Sequence, residues 1–453
     1  MSREDLINEL KEIVGDRYLL SAKEDVIVYE QDASILQAMP EIVALPADVQ
    51  QVAAIVKAAR RFGVPIVPRG SGTGLAGGAM PAEGGIVLSL ARLNRILKID
   101  LDNRVAIVEP GVINLELTKA VSPHGFFYAP DPSSQAACSI GGNVANNSGG
   151  PHTLAYGVTT NHVLGVEVVL SDGEVAWLGG VLPDSPGYDL CGVFVGSEGT
   201  LGVVTKAAVR LMRAREAVAT LLAVFDTIDA ASRTVVDITA AGIIPAALEL
   251  MDQLSIEAVE RGAPVGYPRD AAAVLLVEVE GVAEQAQKAL HLASALCARN
   301  GAREVKVAKD NHERELLWKG RKGAFGALGT LAPNYYVQDG VVPRSKLPEI
   351  MRVIAAISAR YDLRIANVFH AGDGNLHPNI LFDLRHPGAI ERVLEASGAI
   401  VKACVDMGGS ITGEHGVGLE KKAYIGLLFN AEDLEAMARV RAVFDPDHRF
   451  NPA

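Results

Sequence analysis

Short apolar runs along the first third of the chain predict strands, separated by helices and glycine-rich loops. Residues 41–46 (EIVALP) have the composition of a strand. Asp48 then caps a predicted helix that ends near Gly63, because apolar residues between them recur at helical spacing. We expect further strands at 64–67, 86–90, 96–100 and 105–109, and a helix near 115–121, after Asn114.

The pattern changes over residues 217–308. Strands are predicted at 217–225, 245–250, 273–280 and 303–308, and helices at 229–241 and 283–299. The resulting order, β-α-β-β-α-β, is that of a ferredoxin-like α+β domain. Near the C-terminus, an amphipathic helix is predicted to stop at Asp445-Pro446.

The length and the net charge of the chain limit the functions that it can have. The chain of 453 residues suggests two or three domains. A formal net charge of −12 and a pI near 5.4 argue against nucleic-acid binding. The first ten residues lack the apolar core of a signal peptide. Because no apolar run is long enough to span a membrane, we expect a soluble, intracellular protein.

The cysteines argue against two kinds of metal site. None of them forms a CxxC motif, so zinc fingers and iron–sulfur clusters lack their usual local ligands. We expect buried free thiols at Cys138, Cys191, Cys297 and Cys404.

A glycine loop at residues 72–77 (GTGLAG) matches GxGxxG after a predicted strand. The residues that follow cannot form the helix that a Rossmann site needs. Successive amides in such a loop can still bind phosphate, and Arg69 adds a cation. Similar stretches follow at 130–150 and 196–202. Together the three stretches favour a long cofactor of several parts.

The segments PRGSGTGL, APDPSSQAACSIGGNVANNSGG and VGSEGTLGV resemble the FAD-binding domain of the vanillyl-alcohol oxidase/PCMH flavoprotein superfamily. From about residue 20 onward, the chain resembles GlcD-type glycolate oxidase flavoprotein subunits and their D-lactate and D-2-hydroxyglutarate dehydrogenase relatives. This implies an α+β fold, a PCMH-type FAD-binding domain with an inserted ferredoxin-like cap domain. We expect an N-terminal helical segment at 1–37, the FAD-binding domain at 38–215, the cap with a metal site at 216–425, and a C-terminal helix and tail at 426–453 that returns to the FAD-binding domain.

The resemblance also implies which residues contact FAD. They are Arg69, Gly70, Ser71, Gly72, Thr73, Gly74, Leu75, Pro130, Asp131, Ser133, Gly141, Gly142, Ala145, Asn146, Ser148, Gly199 and Val203. Some relatives attach flavin through a histidine in the first loop, but all ten histidines here lie at position 124 or beyond. Cys138 is a remote alternative attachment point. We expect non-covalent FAD.

Residues 368–379 (VFHAGDGNLHPN) predict a hairpin with GDGN as a four-residue turn. In that register His370 faces His377, with Cβ atoms roughly 5 Å apart, a spacing that suits two imidazoles sharing one metal. Asn379 points to the same face.

Glu414 and His415 are adjacent within a glycine-rich run, 408–418, that suits neither a helix nor a strand. A solvated loop is one interpretation. The other is that Glu414 completes a His2Glu metal set with open positions, and that His415 acts as a base near neutral pH. The resemblance agrees with the second interpretation. It also matches Asn379 to a substrate contact, and Arg321 to a carboxylate-binding arginine that the sequence alone would leave as a solvated helix charge.

The function implied is FAD-dependent oxidation of a small D-2-hydroxy acid to the 2-oxo acid, with hydride transfer to flavin N5, a bound divalent metal (zinc, manganese or iron) and His415 as the base. Glycolate or D-lactate is the expected substrate. D-2-hydroxyglutarate relatives carry polar or cationic groups at positions that align with Phe325 and Val337, which are apolar here. The alternatives are a D-2-hydroxyglutarate dehydrogenase, a non-catalytic FAD-binding subunit, and a metal-dependent hydrolase without flavin.

Electrons must leave the chain, because no iron–sulfur motif is present. We expect an electron acceptor or partner subunit, iron–sulfur or quinone-linked, with oxygen as an alternative. The expected location is cytoplasmic, or peripheral to the inner membrane through a partner. A homodimer is an open alternative.

Overall fold

The computed structural model describes residues 2–182 and 186–452. In the first half of the chain the strands are β1 (Leu19–Leu20), β2 (Ile42–Ala44), β3 (Ile66–Arg69), β4 (Ile86–Ser89), β5 (Ile96–Asp100), β6 (Val105–Val108), β7 (Phe126–Phe127), β8 (Val163–Val169), β9 (Val175–Gly179), β10 (Val203–Arg210) and β11 (Met212–Arg213). They continue as β12 (Ala217–Phe225), β13 (Ala247–Asp252), β14 (Ala273–Gly281), β15 (Ala302–Val307), β16 (Asn334–Val337), β17 (Gly340–Val341), β18 (Arg364–His370), β19 (Asn375–Leu376) and β20 (Pro378–Phe382).

The α-helices separate these strands. They are α1 (Arg3–Val14), α2 (Lys23–Val26), α3 (Val49–Phe62), α4 (Asn114–Val121), α5 (Ile140–Asn146), α6 (Thr153–Tyr156), α7 (Leu190–Phe194), α8 (Ile228–Ala240), α9 (Gln253–Gly262), α10 (Ala283–Arg299), α11 (Asn311–Ala327), α12 (Leu347–Tyr361), α13 (Ala389–Asp406), α14 (Gly418–Lys421) and α15 (Ala431–Phe444).

The chain divides into two compact units. The first unit comprises residues 1–149, 158–214 and 414–453, and the second comprises 150–157 and 215–413. Residues 414–425, which the sequence assigns to the cap, therefore group with the first unit, and 150–157 group with the second. The division into four segments stays a prediction.

The first unit contains a four-stranded sheet, ordered β1-β2-β4-β3, and a five-stranded sheet, ordered β5-β6-β10-β8-β9. Helix α3 forms as predicted: the Asp48 side chain accepts a hydrogen bond from the Gln51 amide, and Gly63 ends the helix in a left-handed conformation. The predicted strands at 86–90, 96–100 and 105–109 are confirmed. Strand β3 starts at Ile66 instead of residue 64, because the Val64 amide still donates to Ala59 at the end of α3.

The second unit confirms the ferredoxin-like prediction. Its sheet begins in the order β15-β12-β14-β13, and the three pairings among these strands are antiparallel. The sheet then continues through β18, β19 and β17. The sequence reading missed α9, which Asp252 starts by accepting from the Ser255 amide. A cluster of buried aliphatic side chains, with Tyr267 and Trp318, packs the helices against the sheet.

The four cysteines are buried free thiols, as predicted. Within residues 2–182 and 186–452, no helix is both long and apolar enough to cross a bilayer.

Candidate active site

The predicted cofactor segments come together within the first unit. A cavity of about 370 Å³ is lined by Gly70 and Ser71 of the first glycine loop and by Ser139, which caps α5. A Cβ atom at Gly70 would lie 2.5 Å from the Ser139 hydroxyl, so only glycine allows this close approach. The rest of the lining comes from residues that sequence reasoning did not single out: Ala91, Asn94, Ile96, Gly111, Val112, Ile113 and Glu116. They belong to loops, strands and a helix start with no motif of their own.

Two residues that were predicted to contact FAD, Arg69 and Val203, are buried within the first unit. Arg69 is buried, and its guanidinium donates to the carbonyls of Tyr29, at 3.4 Å, and Gln31, at 2.7 Å. Val203 is fully buried in the apolar core, so a cofactor contact there would fall to its main chain. The FAD contacts of Arg69 and Val203 stay predictions.

The Glu414–His415 loop is tied to two other residues of the first unit. Asn146, which was predicted to contact flavin, donates from Nδ2 to the His415 carbonyl at 2.8 Å. Both carboxylate oxygens of Glu198 accept from main-chain amides, those of Val417 and Gly418, each at 2.7 Å. Burial raises the pKa of Glu198, against the effect of these two amides. The second and third glycine-rich stretches therefore hold the backbone that carries the predicted base.

In the second unit, the histidine hairpin forms with a different register. His370 pairs with Asn375 and not with His377, and Asn367 pairs with Pro378. The register of the two strands is therefore shifted by two residues from the predicted one. The turn is residues 371–374, because the Asp373 carboxylate accepts from the Asn375 amide and Asn375 joins the strand. A shift of two residues preserves the face on which each side chain lies. The imidazoles are therefore still neighbours, with centroids 5.1 Å apart and planes at 89°.

Both histidines are oriented through Nδ1. The Nδ1 atom of His370 lies 2.9 and 3.0 Å from the carboxylate oxygens of Glu249, and that of His377 lies 3.2 Å from the Gln338 carbonyl. The carboxylate and the carbonyl only accept hydrogen bonds, so the contacts favour the tautomer with the ring proton on Nδ1, in which Nε2 is the nitrogen able to bind a metal. The donor set within the second unit therefore fits an imidazole-bound ion.

Arg321 lies beside these histidines, inside the protein. It is 1% exposed, and its Nη2 atom lies 2.5 Å from Glu249. Burial alone would raise the pKa of Glu249, but the charge of Arg321 and the hydrogen bond with His370 lower it. The guanidinium carbon lies 6.0 Å from the centroid of the Phe325 ring, which in turn lies 5.8 Å from that of His377.

Sequence reasoning missed several polar residues of this cluster. Glu249, Gln338 and Asp339 are each 1% exposed or less. Asp339 accepts from the Thr412 hydroxyl at 2.6 Å and from the Gly413 amide at 3.1 Å. A signal was available, because a charged residue inside an apolar strand such as ALELMD needs a buried partner.

Comparisons with known proteins show which protein family the chain belongs to. Residues 40–179 match the model of an FAD binding domain, and residues 214–453 match that of the FAD linked oxidases, C-terminal domain. The glycolate oxidase subunit GlcD of Escherichia coli (strain K12) is 47% identical over all of this chain and 91% of its own length. The Bacillus subtilis (strain 168) GlcD is 43% identical over all of this chain and 97% of its own length. A D-lactate dehydrogenase of Archaeoglobus fulgidus is 35% identical over 91% of this chain and 90% of its own length.

Solved structures support the same fold. p-Cresol methylhydroxylase covers 99% of this chain, and 95% of its own chain is covered, with a TM-score of 0.84. A 4-ethylphenol oxidase from Gulosibacter chungangensis covers 100%, and 97% of its own chain is covered, with a TM-score of 0.80. Their identities of 17% and 18% show the fold alone.

Fold and sequence together define an FAD-linked oxidoreductase with a PCMH-type FAD-binding domain. The chain belongs to the FAD-linked oxidase family, in the group of hydroxy-acid oxidoreductases that contains the GlcD glycolate oxidase subunits and the D-lactate dehydrogenases.

Proposed function

We propose that this chain oxidises a small D-2-hydroxy acid, glycolate or D-lactate, to the 2-oxo acid. The observation that carries the proposal is the buried cluster of His370, His377 and Arg321, because two imidazoles can bind a metal and an arginine can bind a carboxylate. The named activities of the GlcD and D-lactate dehydrogenase relatives support the same substrate class.

The third metal ligand in this proposal is Glu414. It follows Gly413 directly in the chain, and the Gly413 amide donates to Asp339, whose other carboxylate oxygen lies 4.0 Å from His377 Nδ1. Consecutive Cα atoms are about 3.8 Å apart, so this anchor limits where Glu414 can lie. Two imidazoles and one carboxylate suit zinc, manganese or iron.

The protein's own part is to bind the substrate and to move one proton. Arg321 holds the substrate carboxylate, since its Nε atom is buried and has no hydrogen-bond partner among the described residues. The Oδ1 atom of Asn379 is also buried with no hydrogen-bond partner among the described residues, and Asn379 contacts the substrate in this proposal. His415 takes the hydroxyl proton on a ring nitrogen. When bound, FAD supplies the hydride acceptor, and a divalent ion supplies a Lewis acid.

A partner subunit that receives electrons is part of the proposal, because the GlcD relatives are named as subunits of a glycolate oxidase. A dye-reduction screen of D- and L-2-hydroxy acids tests the reaction class. A colourless purified protein with hydrolase activity would instead support the metal-dependent hydrolase.

The metal is tested with His377→Ala. We expect this variant to lose the divalent metal and most of its turnover while keeping its flavin. The measurements are metal content by mass spectrometry and flavin content by absorbance. Full turnover in this variant, or in enzyme stripped by a chelator, would contradict the metal role.

A further inference from the structure

The middle of strand β13 contains a buried carboxylate between two apolar residues. Glu249 is 1% exposed, between the fully buried neighbours Leu248 and Leu250. Such a group is costly to bury unless it is paired. Its register partner across the sheet is His370, so the two side chains lie on the same face.

Glu249 contacts two members of the proposed site at once. One contact is with His370 Nδ1, at 2.9 Å, and the other is with Arg321 Nη2, at 2.5 Å. Arg321 Nη2 also lies 3.3 Å from His370 Nδ1. Because an arginine can only donate, the carboxylate of Glu249 is an acceptor that Arg321 and His370 can share.

We propose that Glu249 is a positioning residue for the site, fixing His370 as the Nδ1–H tautomer and holding the Arg321 guanidinium in place. This inference rests on the proposed function, because it concerns how the metal ligand and the carboxylate-binding arginine are oriented. A carboxylate behind a metal-binding histidine keeps the other ring nitrogen available and raises its basicity.

The two histidines differ in a way that makes the inference testable. His377 donates from Nδ1 to a main-chain carbonyl, which no side-chain substitution removes. His370 depends on the side chain of Glu249. Replacing Glu249 therefore disturbs one imidazole and leaves the support of the other unchanged.

The test is Mn²⁺ titration of chelator-stripped, flavin-loaded protein, with free Mn²⁺ read from its electron paramagnetic resonance signal. We expect Glu249→Ala to weaken Mn²⁺ binding roughly 10–100-fold. Glu249→Gln keeps an oxygen that accepts from His370 but presents an amide to Arg321. It should therefore recover most of the Mn²⁺ affinity, while kcat/KM at saturating Mn²⁺ stays at least roughly tenfold below that of the wild type.

The matched control is Glu278→Gln, a second buried carboxylate in the same sheet, which is bonded to Thr220 and Trp318. We expect its Mn²⁺ affinity to stay within about twofold of the wild type. Equal Mn²⁺ binding by wild type and Glu249→Ala would overturn the inference, as would an equal loss in the control. A wild-type protein that binds no Mn²⁺ would instead count against the proposed metal site.

Discussion

Glu198 offers a direct test of how the predicted base is held. Its two oxygens bind the amides of Val417 and Gly418, in the turn that follows His415. The turn also needs Gly416, since its φ is +87° and a Cβ atom there would lie 2.8 Å from a Glu198 oxygen. The substitution Glu198→Gln keeps one acceptor oxygen and turns an NH2 group toward the other amide.

The expected cost follows from these bonds. A hydrogen bond to a charged group contributes about 1.5–3 kcal/mol, and the substitution removes one of the two. If that energy holds the loop in its active conformation, kcat/KM falls roughly 10–150-fold, since each 1.4 kcal/mol is a factor of ten.

The assay is steady-state turnover of the preferred hydroxy acid with one artificial acceptor, together with the ratio of flavin to protein from absorbance. Glu167→Gln is the control, because Glu167 also accepts two side-chain hydrogen bonds in the first unit, from Thr205 and Lys206, and none from the loop. A kcat/KM within threefold of the wild type for Glu198→Gln would refute the reasoning. Parallel loss of flavin would assign Glu198 to cofactor binding instead.

Three further predictions concern the cofactor, the substrate and acid stability. Acid precipitation should release yellow FAD into the supernatant, and colour in the pellet would show a covalent link. The kcat/KM for glycolate or D-lactate should exceed that for D-2-hydroxyglutarate. An unpaired second carboxylate beside Phe325 and Val337 would cost several kcal/mol of binding free energy, whereas each additional methylene contributes only about 0.8 kcal/mol. A tenfold higher kcat/KM for D-2-hydroxyglutarate would contradict this. Burial alone would raise the pKa of Glu278, but His152, Thr220 and Trp318 lower it to about 2. Its stabilisation should therefore be present above pH 4.5 and be lost as the pH falls toward 2, by about 3 kcal/mol, and Glu278→Gln should lack this loss when chemical unfolding is followed by Trp318 fluorescence.

The elements of the second unit could be predicted closely from local pattern. Strand β12 and helix α10 begin and end where the apolar periodicity does. The register of the histidine hairpin could not be predicted in this way, because a shift of two residues leaves every side chain on the same face of the sheet. The turn includes a side-chain hydrogen bond, from the Asn375 amide to Asp373, which hydrophobic periodicity does not reveal.

The site was predictable only where the chemistry lies within one segment. His370 and His377 lie in one hairpin, and Glu414 and His415 are adjacent, so their spacing was visible. Glu249 lies 121 residues before its partner His370. A contact over that separation depends on strand order, which hydrophobic periodicity does not encode.

The order in which the chain crosses between its two units bears on folding during synthesis. Strand β3 of the first unit bonds to the end of the chain: the Ile66 amide donates to the Arg449 carbonyl, and the Asn451 amide donates to the Ile66 carbonyl. Phe450 is 1% exposed in the same core. A growing chain emerges N-terminus first, so residues 215–413 leave the ribosome while the first unit still lacks these contacts. The first unit therefore completes this part of its core after residues 215–413 have emerged, although residues 2–149 precede them in the sequence.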